Sequence, residues 1–91
     1  EINVTFSITG KGIMSRIGAQ SMYFYVKSGS AWTLEKSYGQ YSAGMNTTNK
    51  VTYDNTITYQ GTKGAQYKIV VTLFVKDSEG ASDTRTYTKY V

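Results

Sequence analysis

The chain has 91 residues, a formal net charge of +4, and neither cysteine nor histidine. This length suits one domain with one hydrophobic core, so a single domain is predicted over residues 1–91. The missing residue types exclude disulfides, thiolate nucleophiles, Cys- or His-ligated metal sites and histidine general bases.

The basic residues are spread singly along the chain. The ten Lys and Arg residues stand singly, which suits solubility better than a phosphate-binding stripe. No run of about 18 apolar residues occurs, so no membrane span is predicted. The first residue is Glu1 rather than Met, as expected of a trimmed or processed chain. Abundant Tyr, Thr, Ser and Gly with few carboxylates favours a secreted or cell-surface location.

The first predicted strand is Ile2 to Thr9, in which apolar and polar residues alternate with the two-residue period of a half-buried strand. The segment Gly10 to Gly12 is predicted to turn and end it. Residues Ile13 to Gln20 are too few for a convincing helix, and Gly18 interrupts them. They are predicted to form a loop whose apolar side chains fold back onto the core.

A hairpin is predicted from Met22 to Val26 and from Trp32 to Tyr38, joined by a turn of small polar residues. With a three-residue loop, the apolar residues of both strands meet on the core face: Val26 opposite Trp32, and Phe24 opposite Leu34. With a four-residue loop, Trp32 and Leu34 instead join Tyr23 and Tyr25. The first register is preferred, because a one-residue slip puts a large apolar set on the wrong face.

Residues 39–50 are polar and are predicted to be a mobile connection in which a short edge strand could form. Val51 to Tyr59 alternates again and predicts another strand. Tyr67 to Val75 is rich in β-branched and aromatic residues and is predicted to be the central strand. Its core-facing residues are predicted at the odd positions: Tyr67, Ile69, Val71, Leu73 and Val75.

The last predicted strand is Thr84 to Val91, which follows a turn at residues 77–80. The pattern therefore gives six or seven strands at even spacing, no helix, and connections too short for parallel crossovers. Those features predict an all-β, antiparallel sandwich or barrel, and the sandwich is the architecture that we expect.

Two segments resemble a known group of domains. The pattern Tyr67-x-Ile69-x-Val71, followed by a turn and a Thr-rich last strand, resembles the final two strands of fibronectin type III and immunoglobulin-like sandwiches. The segment Phe24 to Trp32, with the Lys-Ser-Gly-Ser-x-Trp turn, resembles the middle hairpin of small secreted domains from Gram-positive bacteria. The resemblance covers about residues 20–91.

What the resemblance implies is an extracellular, immunoglobulin-like (Ig-like) antiparallel β-sandwich of six to seven strands, with no catalytic residues to carry over. The chain departs from the pattern in two ways. Immunoglobulin domains proper have a Cys pair, which is absent here. No strand precedes Ile2, so that sheet edge is left open or is supplied by another segment.

The candidate ligand-binding residues are aromatic: Trp32, Tyr23, Tyr25 and Tyr38. Together with other tyrosines they could form a platform that stacks on sugar rings or contacts a protein partner. A sugar platform requires at least three coplanar, exposed rings. The alternative is that Trp32 belongs to the core and the tyrosines cover the sheet edges.

Acidic residues offer two weaker candidates. Asp77, Glu79 and Asp83 flank one turn and could bind Ca²⁺, but Asp-x-Glu-Gly is also ordinary turn chemistry, which is favoured. Glu35 and Asp54 are the acidic residues within predicted strands and could form an acid–base pair for glycoside cleavage. Nothing in the pattern couples them, so no enzyme activity, metal or other cofactor is predicted.

Interleaved aromatic and Lys residues also raise the question of single-stranded nucleic acid, but the charge is dilute and no stacking motif occurs, so no nucleic-acid partner is predicted. The sequence thus favours a non-enzymatic secreted or cell-surface recognition or structural module. The alternative is a carbohydrate-binding module that uses exposed Trp and Tyr. A protein or carbohydrate partner is expected. The chain is expected to be a monomer, or an oligomer formed through an unpaired edge at Ile2 to Thr9 or Thr84 to Val91.

Overall fold

The computed structural model describes residues 1–91 as seven antiparallel β-strands in two sheets, without a helix. The strands are β1 (Ile2–Met14), β2 (Arg16–Ser28), β3 (Ala31–Gly39), β4 (Asn46–Thr47), β5 (Lys50–Tyr59), β6 (Tyr67–Lys76) and β7 (Ser82–Tyr90). The predicted all-β, antiparallel sandwich is therefore confirmed. The chain has no helix long and apolar enough to cross a membrane.

The larger sheet has the strand order β3-β2-β6-β7, and β4 adds a short pairing to β2. Strands β1 and β5 form the smaller sheet, which packs on the larger one. Strand β6 is central, as predicted, and four of its five predicted core residues are buried: Tyr67, Ile69, Val71 and Leu73. The fifth, Val75, is only half-buried, and Phe74 on the opposite face is buried as well. The apolar residues at every second position predicted this strand correctly because successive side chains of a strand point to opposite faces of the sheet.

The core also includes a residue from the polar connection between β3 and β5. Met45 is fully buried, and its carbonyl oxygen accepts a hydrogen bond of 2.7 Å from the backbone N–H of Ala19. The neighbouring Asn46 side chain donates to the carbonyl oxygens of Ala19 and Gln40 at 3.0 and 2.8 Å. This connection therefore contains the short edge strand β4, and it packs one side chain between the sheets.

The predicted turn at Gly10 to Gly12 and the predicted loop at Ile13 to Gln20 are both wrong. Strand β1 continues to Met14, with an irregularity in its pairing to β5 between Thr9 and Met14. The glycines interrupt the register of β1 without reversing the chain. Ile17 and Ala19 are fully buried in β2, so the apolar residues of this segment belong to a strand.

The chain passes from one sheet to the other at Ser15, the residue between β1 and β2. Its hydroxyl lies 2.9 Å from the carbonyl oxygens of Lys76 and Asp77, at the end of β6. The short side chain of Ser15 keeps its hydroxyl close to the backbone, within hydrogen-bond reach of these two carbonyl oxygens. The corner is thereby fixed to the central strand.

The preferred hairpin register is also wrong. Ser28 pairs with Ala31, so the turn has two residues, and Gly29 has the positive φ of 64° found at the first position of a type II′ turn. Trp32 pairs with Lys27 on the outer face, whereas Phe24 lies opposite Lys36. The side chains of Trp32 and Leu34 therefore share a face with Tyr23 and Tyr25, as in the register that was not preferred.

Further along β3 a β-bulge shifts the pairing. Tyr25 pairs with Leu34 and Phe24 pairs with Lys36, which leaves Glu35 as the extra residue. An extra residue on one strand changes the side on which the following side chains lie. As a result Tyr38, opposite Met22, faces inward although Trp32 faces outward.

The smaller sheet covers the larger one unevenly. Strand β1 packs over β2 and β6, and β5 packs over β2, so β7 lies beyond the cover. All nine residues of β7 are exposed. A groove of about 690 Å³ runs between β1 and β7, with Leu73 and Val75 in its floor and Ile8 and Tyr87 on opposite sides. We call it the β1–β7 groove.

The two ends of the chain lie together. Glu1, Ile2 and Val91 line one crevice of about 360 Å³ beside Tyr67. Val91 exchanges two backbone hydrogen bonds of 2.9 Å with Tyr67. The molecule measures 46 × 21 × 18 Å. Both termini lie where β5 ends and β6 begins, because Ile2 pairs with Tyr59 and Val91 bonds to Tyr67.

Candidate functional site

Four aromatic side chains and one lysine form a cluster on the outer face of the larger sheet. We call this cluster the aromatic patch: Tyr23, Tyr25, Trp32, Lys68 and Tyr90. The Lys68 ammonium nitrogen lies 5.0 Å from the ring centre of Tyr25 and 5.4 Å from that of Trp32. The Trp32 and Tyr90 rings are 5.9 Å apart, and those of Tyr23 and Tyr25 are 6.4 Å apart.

The strand pairing explains how these residues meet. Tyr25 of β2 pairs with Lys68 of β6, which pairs with Tyr90 of β7, so the three form a row across the sheet. Trp32 reaches this row from β3. Because Met22 and Phe24 point into the core, the intervening Tyr23 must point outward with Tyr25.

The patch is exposed but not flat. Tyr90 is 69% exposed and Tyr23 is 38% exposed, whereas Trp32 and Tyr25 are half-buried. The Trp32 and Tyr90 planes differ by 53°, and those of Tyr23 and Tyr25 differ by 48°. The ring pairs are therefore tilted, unlike the coplanar rings that a flat sugar platform requires. Lys68, held over two rings, gives the surface a positive charge at its centre.

Tyr38, the fourth residue predicted for this site, lies on the opposite face of the sheet. It is half-buried, and its ring is edge-on to Phe24 with ring centres 5.9 Å apart. The Lys36 ammonium nitrogen lies 5.1 Å from the centre of the Tyr38 ring. Of the predicted residues, the structure thus brings together Trp32, Tyr23 and Tyr25. Sequence reasoning missed Lys68 and Tyr90, which come from strands far away in the chain.

A polar cluster, separate from the aromatic patch, forms where the β-bulge turns Glu35 toward the inner face of the larger sheet. The hydroxyls of Tyr59 and Tyr67 donate to one Glu35 carboxylate oxygen at 2.5 and 2.9 Å. The Tyr67 oxygen in turn accepts the Thr62 N–H at 2.7 Å. The hydrogen bond to Glu35, with desolvation and the carboxylate charge adding to it, raises the pKa of Tyr59 from 10.0 to about 12.

This cluster predicts a dependence of stability on alkaline pH. The unfolded chain releases the Tyr59 proton near pH 10, whereas the folded chain holds it to about pH 12. The stabilisation is therefore complete below pH 10 and is lost as the pH rises to 12. We expect Glu35→Gln to make this decline shallower, because the pKa of Tyr59 falls when the carboxylate charge is removed. Urea denaturation at a series of pH values from 8 to 12 measures the free energy of unfolding and therefore this decline.

The control for this prediction is Tyr59→Phe, which removes the titrating hydroxyl while keeping the ring. This variant should also lose stability less steeply between pH 10 and pH 12 than the wild type. Parallel decline of all three proteins over that interval would show that the Glu35–Tyr59 hydrogen bond does not contribute.

The other acidic residues considered from the sequence do not meet. Asp54 accepts a hydrogen bond from Ser7 on the outer face of the smaller sheet, whereas Glu35 faces the inner side of that sheet through Tyr59. Asp77 accepts the backbone N–H groups of Glu79 and Ala81, which is ordinary turn chemistry. The structure contains no group of three acidic side chains placed to hold a metal ion.

Comparison of the chain with protein-family models, with curated proteins and with solved structures found no match. The resemblance to fibronectin type III and immunoglobulin-like domains therefore stays a prediction. The function must therefore be inferred from the surfaces of the molecule. These are the aromatic patch, the β1–β7 groove and the unpaired strand edges.

Proposed function

We propose that this chain is a non-enzymatic recognition module, secreted or on a cell surface, with an Ig-like strand arrangement, and that its aromatic patch binds a protein partner. One observation supports this above the others. Trp32 lies on the solvent side of the larger sheet, beside the tilted ring of Tyr90 and under Lys68, where no core requires it.

Protein partners suit this surface for an energetic reason. Tyr and Trp side chains contribute much of the binding energy in many interfaces, because they bury large areas and lose few rotamers. Here the contacts of Lys68 with Tyr25 and Trp32 already restrict those side chains, which lowers the entropy cost of binding.

The charge of the patch selects the kind of partner. Lys68 lies at its centre, and Lys27 pairs with Trp32 at its edge. The whole chain carries a net charge of +4. A partner surface with Asp or Glu beside apolar groups would complement it, and its association should be faster and tighter at low salt.

A peptide selection tests the proposal. Random peptides displayed on phage are selected on the wild-type domain alone, and the enriched peptides are then tested on variants that play no part in the selection. We expect enriched peptides to contain Asp or Glu with apolar residues, and to lose affinity about tenfold or more on Trp32→Ala or Tyr90→Ala. The matched control is Tyr41→Ala, since Tyr41 is 89% exposed and lies outside the patch. Equal binding of the selected peptides to all of these variants would contradict the proposal.

Carbohydrate binding is the second candidate, because an outward Trp32 is available to a sugar ring. The planes of Tyr23 and Tyr25 differ by 48° and those of Trp32 and Tyr90 by 53°, which argues against an extended flat platform. A glycan array probed with the same variants separates the candidates. Binding of oligosaccharides that Trp32→Ala abolishes and Tyr41→Ala retains would replace the protein-recognition proposal with this one.

A further inference from the structure

Strand β7 has one free edge. It pairs with β6 on one side only, and each of its nine residues is exposed. An edge strand presents a row of N–H and C=O groups that can pair with another strand. Charged residues on an edge ordinarily oppose such pairing, so the arrangement of the charges along β7 decides whether pairing is favourable.

The hydrogen bonds at the two ends of β7 show which backbone groups are free. Tyr67 and Val91 exchange two bonds, and the Asp77 N–H donates to Ala81. Because hydrogen-bonded residues alternate along an antiparallel pair, the odd residues of β7 bond to β6. The N–H and C=O groups of the even residues therefore point away from the sheet: Ser82, Thr84, Thr86, Thr88 and Tyr90.

We propose that β7 pairs with β7 of a second copy of this chain, antiparallel about a two-fold axis at Thr86. In this register Asp83 of each copy faces Lys89 of the other. Arg85 of each copy faces Tyr87 of the other, where a cation can lie against the ring. The even residues, with their free backbone groups, face one another as hydrogen-bonded pairs, and one continuous sheet crosses both copies.

The charges select this register over its neighbours. Moving the axis by one residue to Arg85 places the Arg85 side chains of the two copies opposite each other. Moving it to Tyr87 places Arg85 of one copy opposite Lys89 of the other. Like charges that face directly across a sheet are destabilising. Moving the axis by two residues, to Thr84 or Thr88, leaves only five of the nine residues of β7 paired and so loses hydrogen bonds across the interface. An antiparallel copy of β7 is thus complementary in charge to β7 itself. This complementarity is the observation that selects a second copy of the chain as the pairing partner.

Sedimentation velocity over about 1 to 500 μM tests the proposal on the intact chain. We expect a dimer whose dissociation constant rises about tenfold or more in Asp83→Lys, because the introduced ammonium group then faces Lys89 of the other copy. Adding Lys89→Asp to that variant restores opposite charges and should restore the dimer. The matched control is Glu79→Lys, which makes the same charge change in the turn before β7 and should leave the dimer intact.

Thr86→Pro is an independent variant for the backbone. The Thr86 N–H points outward, so proline removes the central bond of the proposed interface without removing a bond to β6. We expect a monomer with the circular dichroism spectrum of the wild type. A wild type that stays monomeric throughout the range, or a dimer that tolerates both Asp83→Lys and the proline, would overturn the proposal. If the proline variant fails to fold, the charge exchange alone decides.

Discussion

We expect Phe24→Ala to lower the free energy of unfolding by about 3–5 kcal/mol, the usual loss when a fully buried aromatic ring is removed. The ring of Phe24 is inaccessible to solvent and lies 4.9 Å from that of Tyr59 and 5.9 Å from that of Tyr38. It therefore joins β2 to the smaller sheet and to β3. A domain of this size has a total stability of roughly 5–14 kcal/mol, so the loss is a large part of it.

Urea denaturation followed by circular dichroism measures the effect. The matched control is Tyr23→Ala, the neighbouring aromatic residue on the opposite face of β2, 38% exposed. Its removal should cost no more than about 1 kcal/mol, since it leaves no cavity between the sheets. Similar losses in the two variants would mean that the inward and outward faces of β2 are not those described.

Gly18→Ala should cost about 2–5 kcal/mol, because two effects add. Gly18 has a φ of +146°, at which a side chain is strained. A Cβ there would lie 2.6 Å from the Met45 carbonyl oxygen and from the Asn46 Cα, both backbone atoms of the segment that packs on β2. Relieving that overlap moves the segment away and stretches the hydrogen bond from Ala19 to Met45.

Hydrogen exchange complements the stability measurement, because the Ala19 amide should lose protection more than amides of β6. Gly12→Ala is the control: a Cβ at Gly12 meets nothing within 4 Å, and its φ is not positive. That substitution should be neutral or stabilise slightly by restricting the unfolded chain. Equal behaviour of the two glycine variants would refute the close approach of residues 45–46 to β2.

The strands with strict alternation could be predicted from sequence because their two faces differ in environment. Most of the core-facing residues of β6, and the existence of β1 and β5 as strands, follow from that difference, whereas the pairing of β1 with β5 does not. Residues 10–20 could not be placed, because glycine signals a turn, a register irregularity or a close approach equally well. Gly10 and Gly12 lie at an irregularity, and Gly18 allows a close approach.

The aromatic patch was predictable in part. Trp32, Tyr23 and Tyr25 were candidates as exposed aromatic residues, but Lys68 and Tyr90 join them through the order of strands, which no local pattern encodes. Tyr38 separates from them because of the bulge at Glu35. A bulge adds one residue without a characteristic composition here, so the cluster of Glu35 with Tyr59 and Tyr67 could not be foreseen either.

The position of the two termini has a mechanical consequence. A force that pulls Glu1 away from Val91 acts on the ends of β1 and β7 at the same end of the body, where both border one crevice. Such a load peels the outermost strands away one hydrogen bond at a time, instead of shearing many bonds at once. We therefore expect the domain, when pulled by its two ends, to unfold at a lower force than a domain loaded along the length of its strands.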